Sequence, residues 1–424
     1  MSDIKKQVVS GVKWTTIGTI VIAVAALLKI AVLARFLDKA DFGLMALVTF
    51  VMGFMNLFND MGLTSAILHR QQISRREYAS LYWLNMLFSL FLYALLWLVA
   101  PVVSGFYEEP ELTLLIRLLG LNLMISALGR IYKTIESKHL LFRHITIFEI
   151  IAAVISLVFA IYLAINGYGV LSLVYSALLQ YALQNLLYFA HGIRKYGLLF
   201  RYKFAETKPF LAIGVYQVGG QIVNYFNRDI DILIIGKFFS QEILGGYSLA
   251  KQLVLRPAQI LNPILMKVAS PTLAKFQSNM ELLRKNYLRL IGIVAKVNIV
   301  VYLITVIFAP FIVTVFYGSG FDEIVILVRI LCVYMIFRAI GNPVGSLVIA
   351  TGRTNLEFYW NLVTLFVLPI FIYIGSRMGI EAVAWSLSLA MTLLFYPSWK
   401  LLINKMTGAS FKEYLWAIIR PSFK

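Results

Sequence analysis

Charge is scarce in this chain. Asp, Glu, Lys and Arg make up 14% of its 424 residues, whereas soluble domains carry roughly 25%. Three stretches have none at all: Tyr78 to Tyr107, Ile150 to Ile193 and Phe358 to Ser376. A helix crossing a bilayer needs about 20 apolar residues, so the first stretch holds one span and the second holds two, turning at Asn166–Gly169. Cysteine is reduced to Cys332, alone in an apolar stretch, and no disulfide framework is possible. The four histidines, His69, His139, His144 and His191, fall in or beside polar connections without metal-ligand spacing. A glycine-rich phosphate loop ending in Gly-Lys-Ser/Thr is absent, which excludes ATP hydrolysis through a Walker site. The longest connections, near 191–208 and 271–290, leave no room for a catalytic ectodomain. Neither a cofactor nor a metal ion is expected, and the chain is not expected to be an enzyme.

Apolar residues are abundant, at 60% of the chain. They fall into twelve expected spans: 10–34, 43–67, 79–105, 112–132, 145–166, 169–190, 209–235, 244–270, 291–316, 323–350, 356–376 and 380–399. The net charge of +18 is spread over every second connection, for example Arg70, Arg75 and Arg76, then Lys133, Lys138 and Arg143. It returns in Arg194, Lys195, Arg201, Lys203 and Lys208, and again in Lys275, Arg284, Lys285 and Arg289. The opposite connections are poor in Lys and Arg, and one reads YEEPE, Tyr107 to Glu111. That alternation is a topology signal rather than a nucleic-acid footprint, and it puts both termini in the cytoplasm. The start, MSDIKKQ, lacks a short apolar region with a small-residue cleavage site, so the first span is expected to be retained.

The halves are built alike. An offset that places Gly18 on Gly220 also places Arg35 on Lys237, Gly43 on Gly245 and Leu47 on Leu249. A slightly longer one pairs Arg143 with Arg353, Phe148 with Phe358, Gly169 with Gly379 and Ser176 with Ser386. Six spans per half keep both halves facing the same way. The expected fold is therefore an all-α polytopic membrane protein of two six-helix bundles, related by a pseudo-two-fold axis along the membrane normal, with a site between them. Its parts are a first bundle at 1–190, a cytoplasmic linker at 191–208, a second bundle at 209–405, and a C-terminal piece at 406–424.

Intramembrane polar groups concentrate in the first two spans of each half. Span one has Lys29 and span two has Asn56, Asn59 and Asp60; span seven has Arg228, Asp229 and Asp231, and span eight has Lys251 and Arg256. The offset that aligns the halves sets Asp231 on Lys29. Such residues are expensive in a bilayer and mark functional paths. Two readings of Arg228 and Asp231 stand open: an i,i+3 ion pair packed inside the bundle, or groups lining a hydrated cavity. Lys29, Asn56, Asn59, Arg228, Lys251 and Arg256 are the substrate-binding candidates, and Asp60, Asp229 and Asp231 are the candidates for ion or proton coupling. Glu149 and Glu357 lie within a turn or two of Arg143 and Arg353, as interfacial pairs would.

Five blocks carry a resemblance: VSGVKW (Val9–Trp14), VLARFLDKADFGL (Val32–Leu44), LYWLNM (Leu81–Met86), LNPILMKVASPTLAKFQ (Leu261–Gln277) and LCVYMIFRAIGNPVGSL (Leu331–Leu347). In this order they resemble the polysaccharide-exporting branch of the multidrug/oligosaccharidyl-lipid/polysaccharide (MOP) flippase superfamily, of the colanic acid and teichuronic acid exporter type. The resemblance implies alternating-access transport of an undecaprenyl-pyrophosphate-linked oligosaccharide from inner to outer leaflet, with the first and second helices of each half lining the cavity. It also implies membrane lipids as partners, with polysaccharide polymerase and export machinery as neighbours. A cation-coupled small-molecule or multidrug antiporter of the same superfamily is the alternative, and a membrane-embedded polymerase or ligase is a third. Such proteins usually have fourteen helices, so Ser410 to Lys424 is expected to be an interfacial helix or the stump of a further span.

Overall fold

The computed structural model describes residues 2–277 and 279–419. Two compact units divide the chain, Met1–Tyr225 and Phe226–Lys424. The first contains α1 (Ser2–Leu33), α2 (Lys39–Asn59), α3 (Leu63–His69), α4 (Arg75–Tyr107), α5 (Glu111–Lys138), α6 (Phe142–Ile165) and α7 (Val170–Tyr196). The long α8 (Phe204–Phe238) ends the first unit and begins the second. There follow α9 (Gln241–Lys275), α10 (Met280–Tyr317), α11 (Ile324–Gly341), α12 (Val344–Thr351), α13 (Thr354–Ser376), α14 (Ile380–Ser398), α15 (Asn404–Thr407) and α16 (Phe411–Ile419). No strand occurs among the described residues.

Among the described residues, ten helical stretches are long and apolar enough to cross a membrane. The two further expected spans fall on α8 and α9, each of 35 residues, whose apolar runs are interrupted by the charges discussed below. Two expected spans are broken. The second splits into α2 and α3 at Asp60–Gly62, where Met61 and Gly62 take positive φ. The tenth splits into α11 and α12 at Asn342–Pro343. Broken helices at membrane depth leave backbone groups that only protein or water can satisfy.

Sidedness follows from residue size. Along α4 the buried stripe is Leu81, Asn85, Ser89, Leu92, Leu96, Ala100 and Ser104, while Leu87, Phe91, Leu98 and Val102 are exposed. The small and polar members of the stripe share the protein face with three leucines, while the outward side chains named are all bulky and apolar, the pattern a lipid solvent selects. Helix α4 starts at a capping box: the Ser74 hydroxyl accepts from the Glu77 N–H at 3.3 Å, and Glu77 accepts from the Ser74 N–H at 2.7 Å. Within the first unit α5 packs between α4 and α7, and α6 joins α1 to α7. Small residues permit this approach, since a Cβ at Gly129 would lie 2.8 Å from the Asn185 carbonyl oxygen and one at Gly192 only 2.1 Å from Tyr132 Cγ. Within the second unit α11 packs against α9, α10 and α14, and α13 pairs with α14. Helix α14 runs through a π-helical turn, Trp399–Ile403, into α15. Helix α16 folds back on α10, burying Tyr414 and Ile418 beside Tyr287, Leu402 and Met406. Phe411–Ile419 thus form a short amphipathic helix, while 420–424 of the expected C-terminal piece lie outside the described residues.

Candidate functional site

On α8, Asp229 and Asp231 lie about 100° and 300° around the axis from Arg228, so the three share one broad face. Across from them α9 presents Tyr247 and Lys251, one turn apart. Lys251 Nζ sits 2.7 Å from Asp231 Oδ1, 3.1 Å from Asp229 Oδ1 and 2.8 Å from the Arg228 carbonyl oxygen. An ammonium has three donors, and Lys251 has a partner for each. Asp231 Oδ1 also accepts from the Ile232 N–H at 2.9 Å, and its Oδ2 accepts from the Tyr247 hydroxyl at 2.6 Å. Arg228 donates from Nε to Asp229 Oδ2 at 2.7 Å. Exposure rises outward along this chain of charges: Asp231 and Lys251 side chains are 6% and 7% exposed, Asp229 20% and Arg228 54%. Alongside, Asn227 donates to the Asn361 carbonyl on α13 at 2.8 Å, and Arg338 on α11 donates to the Tyr334 hydroxyl.

The first unit has a different interior, centred on the α2–α3 break. Asn59 is fully buried; its amide donates to the Leu123 carbonyl at 3.3 Å and Ser126 Oγ at 3.1 Å, and its Oδ1 accepts from Ser89 at 2.6 Å. The Asn59 carbonyl, at the end of α2, accepts from Asn85 at 3.1 Å. One residue on, Asp60 accepts from Thr64 and lies 4.0 Å from Arg130 Nη1. Arg130 is 16% exposed and also donates to Ser126 at 3.0 Å, yet its Nη1 has no hydrogen-bond partner among the described residues. Lys29 on α1 donates to Ser156 on α6 at 3.2 Å, and Ser156 donates to the Ser176 carbonyl on α7 at 2.7 Å. Asn56 lies half-buried one turn before the break.

The structure therefore gathers Arg228, Asp229, Asp231 and Lys251 into one cluster and sets Asp60 beside Asn59. Asp231 takes Lys251 from the neighbouring helix as its close ionic partner, in place of the i,i+3 partner on its own helix. Arg256 does not join: it lies about 140° around α9 from Lys251, and its Nη1 is 3.4 Å from Gln259 Oε1. One expected interfacial pair is corrected. Arg143 and Glu149 are separated by about 9 Å along α6, and Glu149 instead pairs with Lys133 of α5 at 2.7 Å, while Arg143 lies over the Trp14 ring. Tyr247, Arg130 and Arg338 were not among the candidates. Arg338 carries a readable signal, a charge midway through an apolar span. Arg130 stands so near Lys133 that it reads as part of the basic connection, and a tyrosine in an apolar run is indistinguishable from a lipid-facing one.

Known proteins match the chain over most of its length. A family described as "Polysaccharide biosynthesis protein" matches residues 32–326. The chain is 29% identical to the teichuronic acid biosynthesis protein TuaB of Bacillus subtilis, over 99% of this chain and 87% of that one. It is 27% identical to the lipopolysaccharide biosynthesis protein WzxC of Escherichia coli, over 99% and 86%. Among solved structures, the lipid II flippase MurJ in an inward closed conformation superposes with a TM-score of 0.79 at 15% identity, covering 96% of this chain and 90% of that one. That likeness establishes the fold. The breadth of the family match establishes the lineage: this chain belongs to the polysaccharide biosynthesis protein family.

Proposed function

We propose that this protein moves an undecaprenyl-pyrophosphate-linked oligosaccharide across the bacterial cytoplasmic membrane by alternating access, as a transporter without catalytic chemistry. The observation that carries this reading is the excess of positive charge inside the spans. Across the expected spans eleven Lys and Arg, among them Lys29, Arg130, Arg228, Lys251, Arg256 and Arg338, stand against seven Asp and Glu, among them Asp60, Asp229 and Asp231. A pyrophosphate is the part of such a cargo most in need of cationic partners when it leaves water.

Roles follow from exposure and from existing partners. Lys251 already has its three donors engaged, so it tunes the cluster and Arg228 is the group that meets the anion. Lys29 in the first unit and Arg256 in the second, each with few protein partners, are further cations suited to a phosphate. Asn56 is placed for sugar hydroxyls, whereas Asn59 uses its side chain within its own unit. Asp229 and Asp60, partly exposed, are the carboxylates through which a proton or cation couples, with Asp231 behind Asp229. The antiporter alternative favours a carboxylate in the first span, and Lys29 stands there instead. Membrane lipids are direct partners, and polymerase and export machinery are the neighbours. Both termini and the 191–208 segment face the cytoplasm under this proposal, so a cysteine placed at Lys203 should resist an impermeant thiol reagent outside intact cells.

The test is export in cells. Removal of the protein should leave its lipid-linked intermediate in the cytoplasmic leaflet. Lys29→Gln and Arg256→Gln should each lower export roughly tenfold, the weight of one charge-assisted hydrogen bond, at unchanged levels of inserted protein. Arg256→Lys should recover only part, because the guanidinium fork is lost. Full export by both Gln variants would remove these two residues from the site.

A further inference from the structure

A second cluster lies at one end of the first unit, away from the charges just described. Glu136 near the end of α5, His144 at the start of α6, and His191 near the end of α7 come together there. The Glu136 side chain is only 3% exposed. Its Oε1 accepts from Lys195 at 2.8 Å and from the Tyr196 hydroxyl. Its Oε2, His144 Nδ1 and His191 Nε2 are each buried and each lack a hydrogen-bond partner among the described residues.

The spacing of these atoms is informative. His144 Nδ1 is 3.4 Å from Glu136 Oε2 and His191 Nε2 is 3.7 Å from Oε1. Both separations are long for an N–H···O hydrogen bond. Two ligands bound tetrahedrally at zinc distances stand about 3.4 Å from each other. The three candidate donor atoms lie within 4.8 Å of one another. His144 and His191 side chains are 44% and 28% exposed, which gives an ion a way in and the rings room to close on it.

We propose that Glu136, His144 and His191 bind a divalent transition-metal ion of the zinc class. Two imidazole nitrogens and one carboxylate oxygen suit zinc, cobalt or nickel, whereas magnesium and calcium require oxygen ligands. Lys195 and Tyr196 hold Oε1 and thereby aim Oε2 at the ion, the orienting task of a second layer around a metal. The ion ties the ends of α5, α6 and α7 together. No sequence spacing announces it, because the three ligands come from three helices.

The experiment uses the full chain purified in detergent and stripped with a chelator. Zinc chloride titrated against a chromophoric competitor should show a single saturable site that a large excess of magnesium does not displace. His144→Gln and His191→Gln should each weaken it by about tenfold or more, and the His69→Gln/His139→Gln double variant should leave it unchanged. If the ligand variants fold poorly, cobalt added to the native protein decides: visible bands of low-symmetry cobalt, bleached by zinc, support the site. Absence of saturable zinc binding, absence of those bands, or loss of binding in the His69/His139 variant overturns the proposal.

Discussion

The two units solve the same problem with different chemistry. Each buries polar groups among apolar helices. Around Asn59 the first unit uses neutral amides and hydroxyls, from Ser89, Asn85 and Ser126. Around Asp231 the second uses full charges, from Lys251, Asp229 and Arg228. A neutral network fixes a backbone break at modest cost, and each of its bonds contributes about 1 kcal/mol. A charged one is held only while every partner stays in place, because stranding one buried ion costs several kcal/mol. The neutral contacts of Asn59 suit a fixed joint, and the charged groups, Asp60 at the edge of that joint included, suit a part whose protonation or occupancy has to change.

Substitution can break this contrast, and the largest effect is expected at Lys251. Lys251→Gln leaves Asp231 buried without its counter-ion, which should remove about 3–5 kcal/mol of stability and most of the folded, inserted protein. The Lys251→Gln/Asp231→Asn pair should recover much of that yield, read by fluorescence-detected gel filtration, while export stays impaired. Should the single variant fold as well as the native chain, the ionic cluster is solvated and its contrast with Asn59 disappears. A milder loss is expected from Asn59→Ala, about 1–3 kcal/mol, since Ser89 and the carbonyl of Leu123 lose neutral partners. Thermal unfolding of the purified variants would order the two, and an Asn59→Ala shift exceeding that of Lys251→Gln would reverse their ranking.

The smallest effect belongs to an exposed charge at the water boundary. Hydrogen bonds from the Ser410 N–H and then its hydroxyl, helped by Arg284 at 3.6 Å, hold the Glu413 carboxyl below its ordinary 4.5. A depressed carboxyl stabilises fully above its unfolded value and loses that contribution as pH falls through the lower folded value. Amides in the first turn of α16 should therefore exchange faster only below about pH 4.5, and Glu413→Gln should abolish that dependence. An identical pH profile in the variant would show that the cap, not the charge, holds this turn.

Most of the architecture can be read from composition, because a bilayer demands long apolar runs. The breaks are harder. Asp60–Gly62 interrupts the helix within a stretch that as a whole still reads as one span, and Asn342–Pro343 is short enough to be absorbed into one apolar stretch. The charged cluster is visible as residues but not as partners: Asp231 and Lys251 lie on successive spans, and nothing local says that α9 turns Lys251 toward α8 while pointing Arg256 elsewhere. Arg130 and the trio of Glu136, His144 and His191 fall beside basic connections, where a topology signal hides any other purpose.

The π turn at Trp399–Ile403 bears on how this chain tolerates insertion and deletion. A π turn contains one residue more than the α turn it replaces, so the helix holds a surplus residue in a defined place. Five residues of such a turn carry the chain about as far around the axis as four α residues, so removing one there would restore α geometry with the phase beyond it nearly unchanged. Asn404 would keep its reach to the Ala409 carbonyl, now 3.0 Å away, and α16 its seat on α10. A deletion in the α-helical part of α14 would instead turn both by about 100°, so the π turn is the one place in this helix where a change of one residue is absorbed.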